Sequence, residues 1–185
     1  MSAMPDAFAN LTLRDATHDD LPAIVKIHNE SIPGRQASAY LNPVTVENRR
    51  KWFDAHSPGH RPLWVVCDEA AGGETIAWGC LSDYSPRPTY DITAEVSLYI
   101  TPSRQRQGIG PWLVQKLIDH AGNNGVEVII ALVFAHNTPS MQMHLKLGFE
   151  QWGYLPRVTN MDGLRRDVVV LGIETVATSE ESTRN

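Results

Sequence analysis

Residues 95–134 set the architecture that the rest of the chain must join. Glu95-Val96-Ser97-Leu98-Tyr99-Ile100 reads as a strand and Trp112 to Ala121 as a helix. Glu127 to Phe134 is a continuous apolar run, which fits a strand buried on both faces. The first strand meets the helix through a basic turn, Arg104-Gln105-Arg106-Gln107-Gly108-Ile109-Gly110. Such a turn builds an anion cradle. The first N–H groups of a helix have no intrahelical partner, and the helix dipole favours negative charge there. Glycines let the backbone approach a phosphate closely. Pro111 suits the first helical position, although it removes one donor. The alternative is a basic turn that caps an ordinary helix.

Two common phosphate loops are excluded. A dinucleotide fingerprint needs a third glycine where Leu113 stands, and no Gly-Lys-Ser/Thr triplet occurs. A net charge of −5 without a long basic run argues against nucleic acid as the main partner. It leaves room for a phosphate at a local patch such as Arg104 and Arg106. The apolar run Val128 to Ala135 falls far short of the ~20 residues that span a bilayer. The first residues lack a charged start and an apolar core, so no signal peptide is expected and a cytoplasmic location is. Cys67 and Cys80 sit in apolar strand-like runs and read as buried reduced thiols. His56 and His60 have helical spacing but no Glu follows His56, which leaves a solvated turn near Pro58-Gly59. No metal site is expected.

Along the chain, residues 1–10 and 175–185 are expected to fray around one domain at 11–174. Leu11 to Arg14 alternates like a first strand. Thr17, with Asp20 three residues on, opens a helix through His28, and Thr45 opens a second through about His56. Leu63 to Asp68 and Thr75 to Leu81 are strands around a Gly72-Gly73 turn. Thr138 to Leu147 is a short helix stopped by Gly148, and Phe149 to Gly153 and Asp167 to Glu174 complete the sheet. The order β-α-α-β-β-β-α-β-α-β-β fits an α/β fold, a mixed sheet of about seven strands with helices on both faces.

Three motifs resemble one family. Gln105-x-x-Gly108-x-Gly110 looks like the pyrophosphate-binding motif of the GNAT N-acetyltransferases. Asn137, Ser140, His144 and Leu147-Gly148-Phe149 are similar to that family's second motif, in which the aromatic acid at position 144 is usually Tyr. Tyr90-Asp91-Ile92-Thr93-Ala94-Glu95-Val96-Ser97-Leu98-Tyr99-Ile100 resembles the phosphinothricin and methionine sulfone (or sulfoximine) N-acetyltransferase branch. The element order is also that of the GNAT fold, whose sheet is mostly antiparallel and twisted. The branch pattern is altered at Asn42, Met161 and Arg165, in loops that shape the acceptor pocket of that branch.

The resemblance implies acetyl-CoA as cosubstrate, a small-molecule amine as acceptor and a homodimer. Glu95 becomes the candidate base. It stands in an otherwise apolar strand where desolvation raises a carboxyl pKa, its alternative being a strand-end Glu paired with an Arg. His144 is the candidate acid or pocket-ordering group, or else a core histidine. Leu98, Tyr99 and Ile100 would offer backbone groups to the pantetheine arm. Gln105, Arg106, Gln107, Gly108, Ile109 and Gly110 would hold the pyrophosphate, while Asn137 and Ser140 would meet the arm. Arg106 is alternatively a solvated side chain. Tyr40, Pro86, Arg87, Pro88 and Tyr90 are acceptor-side candidates. Arg87 is placed to pair with an acceptor carboxylate, unless its loop is merely a rigid surface turn. The implied reaction is direct acetyl transfer, in a ternary complex, to the α-amine of a small amino-acid-like acceptor of the phosphinothricin, methionine sulfone or sulfoximine type. Another amine acceptor (a polyamine, an antibiotic or a protein amine) and a CoA-binding module without turnover remain as alternatives.

Overall fold

The computed structural model describes residues 8–175. The segments 1–7 and 176–185, where fraying ends were expected, lie outside the described residues. Of the expected flexible start, Phe8 is in fact buried, with its ring 5.3 Å from that of Trp112.

Strands β1 (Leu11–Asp15), β2 (Leu63–Asp68), β3 (Glu74–Asp83), β4 (Thr93–Ile100), β5 (Val128–Phe134), β6 (Glu150–Met161) and β7 (Leu164–Glu174) form one seven-stranded sheet in the order β1-β2-β3-β4-β5-β7-β6. Every neighbouring pair is antiparallel except β4 and β5, which run parallel. The mixed, mostly antiparallel sheet read from the sequence is therefore present. Gly72 and Gly73 turn the β2–β3 hairpin with φ of 75° and 83°, a region that side chains with a Cβ avoid.

The parallel ladder is short. It pairs Thr93 with Val128, Ala94 with Ile129 and Glu95 with Ile130, and then stops. Beyond that point β4 stays with β3 as far as Ile100, and β5 stays with β7 as far as Phe134. The sheet opens into a cleft between two strands that no longer share hydrogen bonds. Backbone groups on the facing edges are left for another partner.

Helices cover both faces. On one, α3 (Ile109–Asn123) buries Val114, Leu117 and Ala121 against Ala94, Val96, Ile129 and Leu171. On the other, α1 (Leu21–Ser31) buries Ile24 and Ile27 against Leu63, Val65, Trp78 and Cys80, with α2 (Val46–Asp54) adding Trp52 and Phe53. The Trp78 indole donates to the Ile24 carbonyl at 3.1 Å and pins α1 to the sheet. Side chains alternate along a strand. Ala94, Val96 and Leu98 therefore face α3, while Glu95, Ser97 and Tyr99 face α1 and α2. The short helix α4 (Thr138–Lys146) follows β5.

Four local expectations are revised. The Thr17–Asp20 capping box forms, with the Thr17 N–H donating to Asp20 at 2.8 Å, but it caps a single 3-10 turn ahead of α1. Asp20 also receives both guanidinium bonds of Arg14 at 2.7 Å. Pro111 is the third residue of α3 rather than the first, still within the turn whose N–H groups lack helical partners. β5 is not buried on both faces, because Leu132 is 46% exposed at the cleft. Residues 154–166, read as a loop, continue β6 and β7 as a long hairpin turned at Asp162-Gly163.

Close contact between α3 and β3 depends on Gly79. A Cβ there would lie 3.0 Å from the Leu113 side chain and 3.3 Å from Leu117. Gly79→Ala is expected to cost about 1–3 kcal/mol by overpacking, read by urea unfolding. Wild-type stability in the variant would contradict this packing.

Candidate active site

The cleft between β4 and β5 continues into a cavity of about 350 Å³, enclosed by α1, α2, the loop that joins them, and α4. Glu95, Leu98, Tyr99, Tyr40, Asn137, Ser140 and His144, all singled out from the sequence, line it together.

Glu95 sits where the ladder ends. Its side chain is half-buried and has no hydrogen-bond or ion-pair partner among the described residues. The strand-end pairing with an Arg is therefore absent. Burial raises its pKa above the usual carboxylate value. Its cross-strand neighbour is Ser82. The Ser82 hydroxyl meets His56 Nε2 at 3.1 Å, while His56 Nδ1 donates to the Trp52 carbonyl at 2.9 Å. His56 is thus a partly buried neighbour of the site, with its pKa lowered by burial, and not the solvated turn expected.

His144 is only 2% exposed, and burial lowers its pKa. Nδ1 donates to the Ser140 carbonyl at 2.9 Å, which puts the ring proton on that nitrogen. Nε2 is buried without a partner. A neutral ring with an unprotonated Nε2 is an acceptor, so the simple proton-donor role is not what this geometry presents. Asn137 caps α4 by accepting from the Ser140 N–H at 3.2 Å, and its amide donates to the Gln36 carbonyl at 3.1 Å.

That second bond is one of several that hold the loop between α1 and α2 over the cavity. His136 Nε2 donates to the Arg35 carbonyl at 2.7 Å, and the Arg35 guanidinium pairs with Asp162 at 2.7 Å. Asn29 exchanges two hydrogen bonds with the Val44 backbone, each at 2.9 Å.

The glycine turn lies beyond the cavity, at the far end of β4. Gly108 is the N-cap of α3 with φ of 85°, a left-handed conformation suited to glycine. Gln105 ties the turn to the Ile100 carbonyl at 3.2 Å, and Gln107 reaches the Ser103 carbonyl at 3.1 Å. Ile109 is 2% exposed, so its side chain belongs to the core and only its backbone faces the turn. Arg104 is tied to buried Asp68, whereas Arg106 is exposed and makes no ion pair among the described residues.

The acceptor-side candidates divide. Tyr40 lines the cavity. Pro86, Arg87 and Pro88 line a separate pocket with Asp83 and Asp91, and Tyr90 is exposed beside Tyr84. The loop leaves the β3–β4 ladder at Glu95's own end, one pair beyond Ser82 and Glu95, yet Pro86, Arg87 and Pro88 line a pocket that shares no residue with the Glu95 cavity. Residues that the sequence reading missed are His28, Arg49, Trp52 and Trp78. His28 extended the apolar stripe of α1 and carried no separate signal. It is 2% exposed, and burial followed by the Arg49 charge pushes its pKa down to about 4. Among the described residues no group of three or more His, Cys, Asp or Glu stands together to hold a metal ion.

Comparison with known proteins fits this geometry. The acetyltransferase (GNAT) family profile matches residues 22–149. YwnH of Bacillus subtilis, provisionally named a phosphinothricin acetyltransferase, is 42% identical over 89% of this chain and 99% of its own. The L-methionine sulfoximine/L-methionine sulfone acetyltransferase of Pseudomonas aeruginosa is 32% identical over 86% of this chain and 92% of its own. The crystal structure of a phosphinothricin acetyltransferase from Sinorhizobium meliloti in complex with acetyl-CoA superimposes with a TM-score of 0.82 at 27% identity, covering 89% of this chain and 88% of that one. The chain belongs to the acetyltransferase (GNAT) family and is an N-acetyltransferase by that membership.

The isolated Glu95 has a thermodynamic signature. A carboxyl whose folded pKa exceeds its unfolded value binds its proton more tightly in the native state, so ionisation above that pKa opposes folding. Glu95→Gln is expected to melt higher than wild type at pH 8, with the advantage fading as pH falls to about 4, near the ordinary Glu pKa. A lower melting temperature at pH 8 would show that ionised Glu95 has a partner.

Proposed function

Taking membership of the acetyltransferase family as the premise, we propose that this protein transfers the acetyl group of acetyl-CoA to the α-amine of a small amino-acid-like acceptor, by direct transfer within a ternary complex. Acceptors of the phosphinothricin, methionine sulfone or methionine sulfoximine type fit the relatives it resembles. One observation carries the reading: a desolvated, unpartnered carboxylate at the point where β4 and β5 part.

The donor fits the chain's own features. The free edge of β4 at Leu98, Tyr99 and Ile100 takes the pantetheine amides as an added strand would. The Gly108 turn and the first N–H groups of α3, from Gln105 to Gly110, receive the pyrophosphate, with exposed Arg106 as a nearby cation. Asn137 shapes the arm's channel by capping α4, and Ser140 supplies the carbonyl that orients His144.

Acetyl-CoA supplies the acetyl group as a thioester. Glu95, directly or through a water, takes a proton from the acceptor ammonium and frees the nitrogen lone pair for attack. A free β4 N–H stabilises the negative charge that develops on the carbonyl oxygen. As the new C–N bond forms and the C–S bond breaks, the nitrogen must lose a second proton and the thiolate must gain one. Neutral His144, with Nε2 free, takes the first of these and returns it to sulfur. A depressed pKa suits a relay that never holds the proton for long.

Reduced, buried Cys67 and Cys80 support a cytoplasmic setting. A homodimer is proposed through β6, an edge strand that exposes Trp152 (46%), Tyr154 (50%) and Val158 (53%). Sedimentation is expected to give a dimer for wild type and a monomer for Val158→Asp; a monomeric wild type contradicts the proposal.

The catalytic reading is tested by thiol release from acetyl-CoA against methionine sulfone, phosphinothricin, ordinary amino acids and polyamines. Glu95→Gln is expected to lower kcat by about 10²–10⁴-fold, with the KM for acetyl-CoA unchanged. Wild-type kcat/KM is expected to rise with pH through a Glu95 pKa above the ordinary carboxylate value. Tight acetyl-CoA binding with no turnover of any amine would favour a binding module instead.

A further inference from the structure

Arg49, on α2, is the one Arg or Lys among the described residues that line the Glu95 cavity. Its guanidinium lies 4.7 Å above the Tyr40 ring centroid and 5.0 Å above that of Trp52. Nη2 stands 3.3 Å from His28 Nε2. The Ser38 hydroxyl lies 3.2 Å from the same nitrogen, and because arginine only donates, the bond to Arg49 forms with Nε2 as acceptor on a neutral ring. Three neutral groups thus fix the position of a full positive charge. No carboxylate among the described residues pairs with it, although Arg14, Arg35, Arg50, Arg61 and Arg104 each have an acidic partner. Guanidinium carries five N–H donors, and this arrangement engages one. A cation held in place within a cavity and left without its counterion is the complement of an anionic ligand group.

We propose that Arg49 binds the carboxylate of the acceptor, so that the enzyme selects free α-amino acids over amines that lack an adjacent carboxylate. The proposal rests on the reading above that the cavity takes an amino-acid-like acceptor, and it names the residue that makes the choice. An α-amino acid bears an ammonium and a carboxylate on one carbon. The cavity presents one carboxylate, Glu95, and one guanidinium, Arg49, to the same side of the sheet. The charges of both reach the buried Cys80 thiol on β3, Glu95 raising its pKa and Arg49 lowering it, while burial dominates and places it at about 12. Tyr40 and Trp52 cover the guanidinium and lower its hydration, which strengthens a bidentate pair with a carboxylate. The same charge acts against the alternatives. A polyamine brings a second cation toward Arg49, and a peptide N-terminus brings a neutral amide that leaves the fork unmatched. Arg87, the cation expected in this role from sequence, stands in the other pocket with Asp83 and Asp91.

The test compares methionine sulfone with its carboxamide, which keeps the amine and side chain but has no negative charge. In wild type the free acid is expected to have the lower KM. Arg49→Gln is expected to raise the KM for the free acid by roughly 30-fold or more, with kcat within a few-fold, the KM for acetyl-CoA unchanged and the carboxamide KM little moved. Arg49→Lys restores part of the preference, since it keeps the charge and loses the fork. Equal losses on the acid and the carboxamide, or no loss on either, would overturn the assignment while leaving amino-acid acetylation intact. A wild type that acetylates polyamines and ignores amino acids would overturn both readings.

Discussion

The parallel contact between β4 and β5 ends at Glu95 and Ile130, and the rest of the site depends on where it ends. Each strand stays paired on its other side, β4 with β3 and β5 with β7, so each keeps its antiparallel ladder where the two part. Unmatched backbone edges become a slot for an extended ligand. The last paired residue, Glu95, is held rigidly at the slot's base, with its side chain turned toward α1 and α2. The glycine turn at the other end of β4 begins α3, whose packing on the opposite face sets the distance between cradle and carboxylate.

Burial then assigns the charges. Among the described residues no cation pairs with Glu95, and burial raises its pKa. His28, His56 and His144 are all shifted toward neutrality, mainly by desolvation. Neutral histidines can accept hydrogen bonds beside Arg49 or beside a reacting nitrogen without adding positive charge. Among the described residues the cavity holds one carboxylate, Glu95, and one guanidinium, Arg49, that no carboxylate pairs with. The roof loop is fastened by Arg35 to Asp162, by His136 to the Arg35 carbonyl and by Asn137 to Gln36. Residues from distant parts of the chain thereby hold one enclosure together.

How much of this was legible depends on how local each signal is. The turn from Gln105 to Gly110 could be read because strand, glycine and helix follow one another in the chain. Glu95 stood out as a charge in an apolar strand, and Asn137 and His144 as positions in a short motif. Arg49 had no such signal. Asn48-Arg49-Arg50-Lys51 reads as an ordinary solvated helix, and only the approach of α2 to α1 brings its second residue beside His28. Arg87 failed the other way. Eight residues from Glu95 in the chain, and in the loop that leaves the ladder at Glu95's own end, it lines a separate pocket with Asp83 and Asp91. The long β6–β7 hairpin was missed because Pro156 and Gly163 look like loop residues, whereas bulges between Leu155 and Thr159 accommodate the irregularity.

The most direct test of the account is a crystal structure of Glu95→Gln with acetyl-CoA and methionine sulfone. The account predicts the pantetheine arm between Leu98–Ile100 and Ala131–Phe134, and the acceptor nitrogen within ~3.2 Å of the residue 95 amide or one water removed. It also predicts the acceptor carboxylate on Arg49. A donor seated elsewhere, or an acceptor amine held away from residue 95, would contradict it.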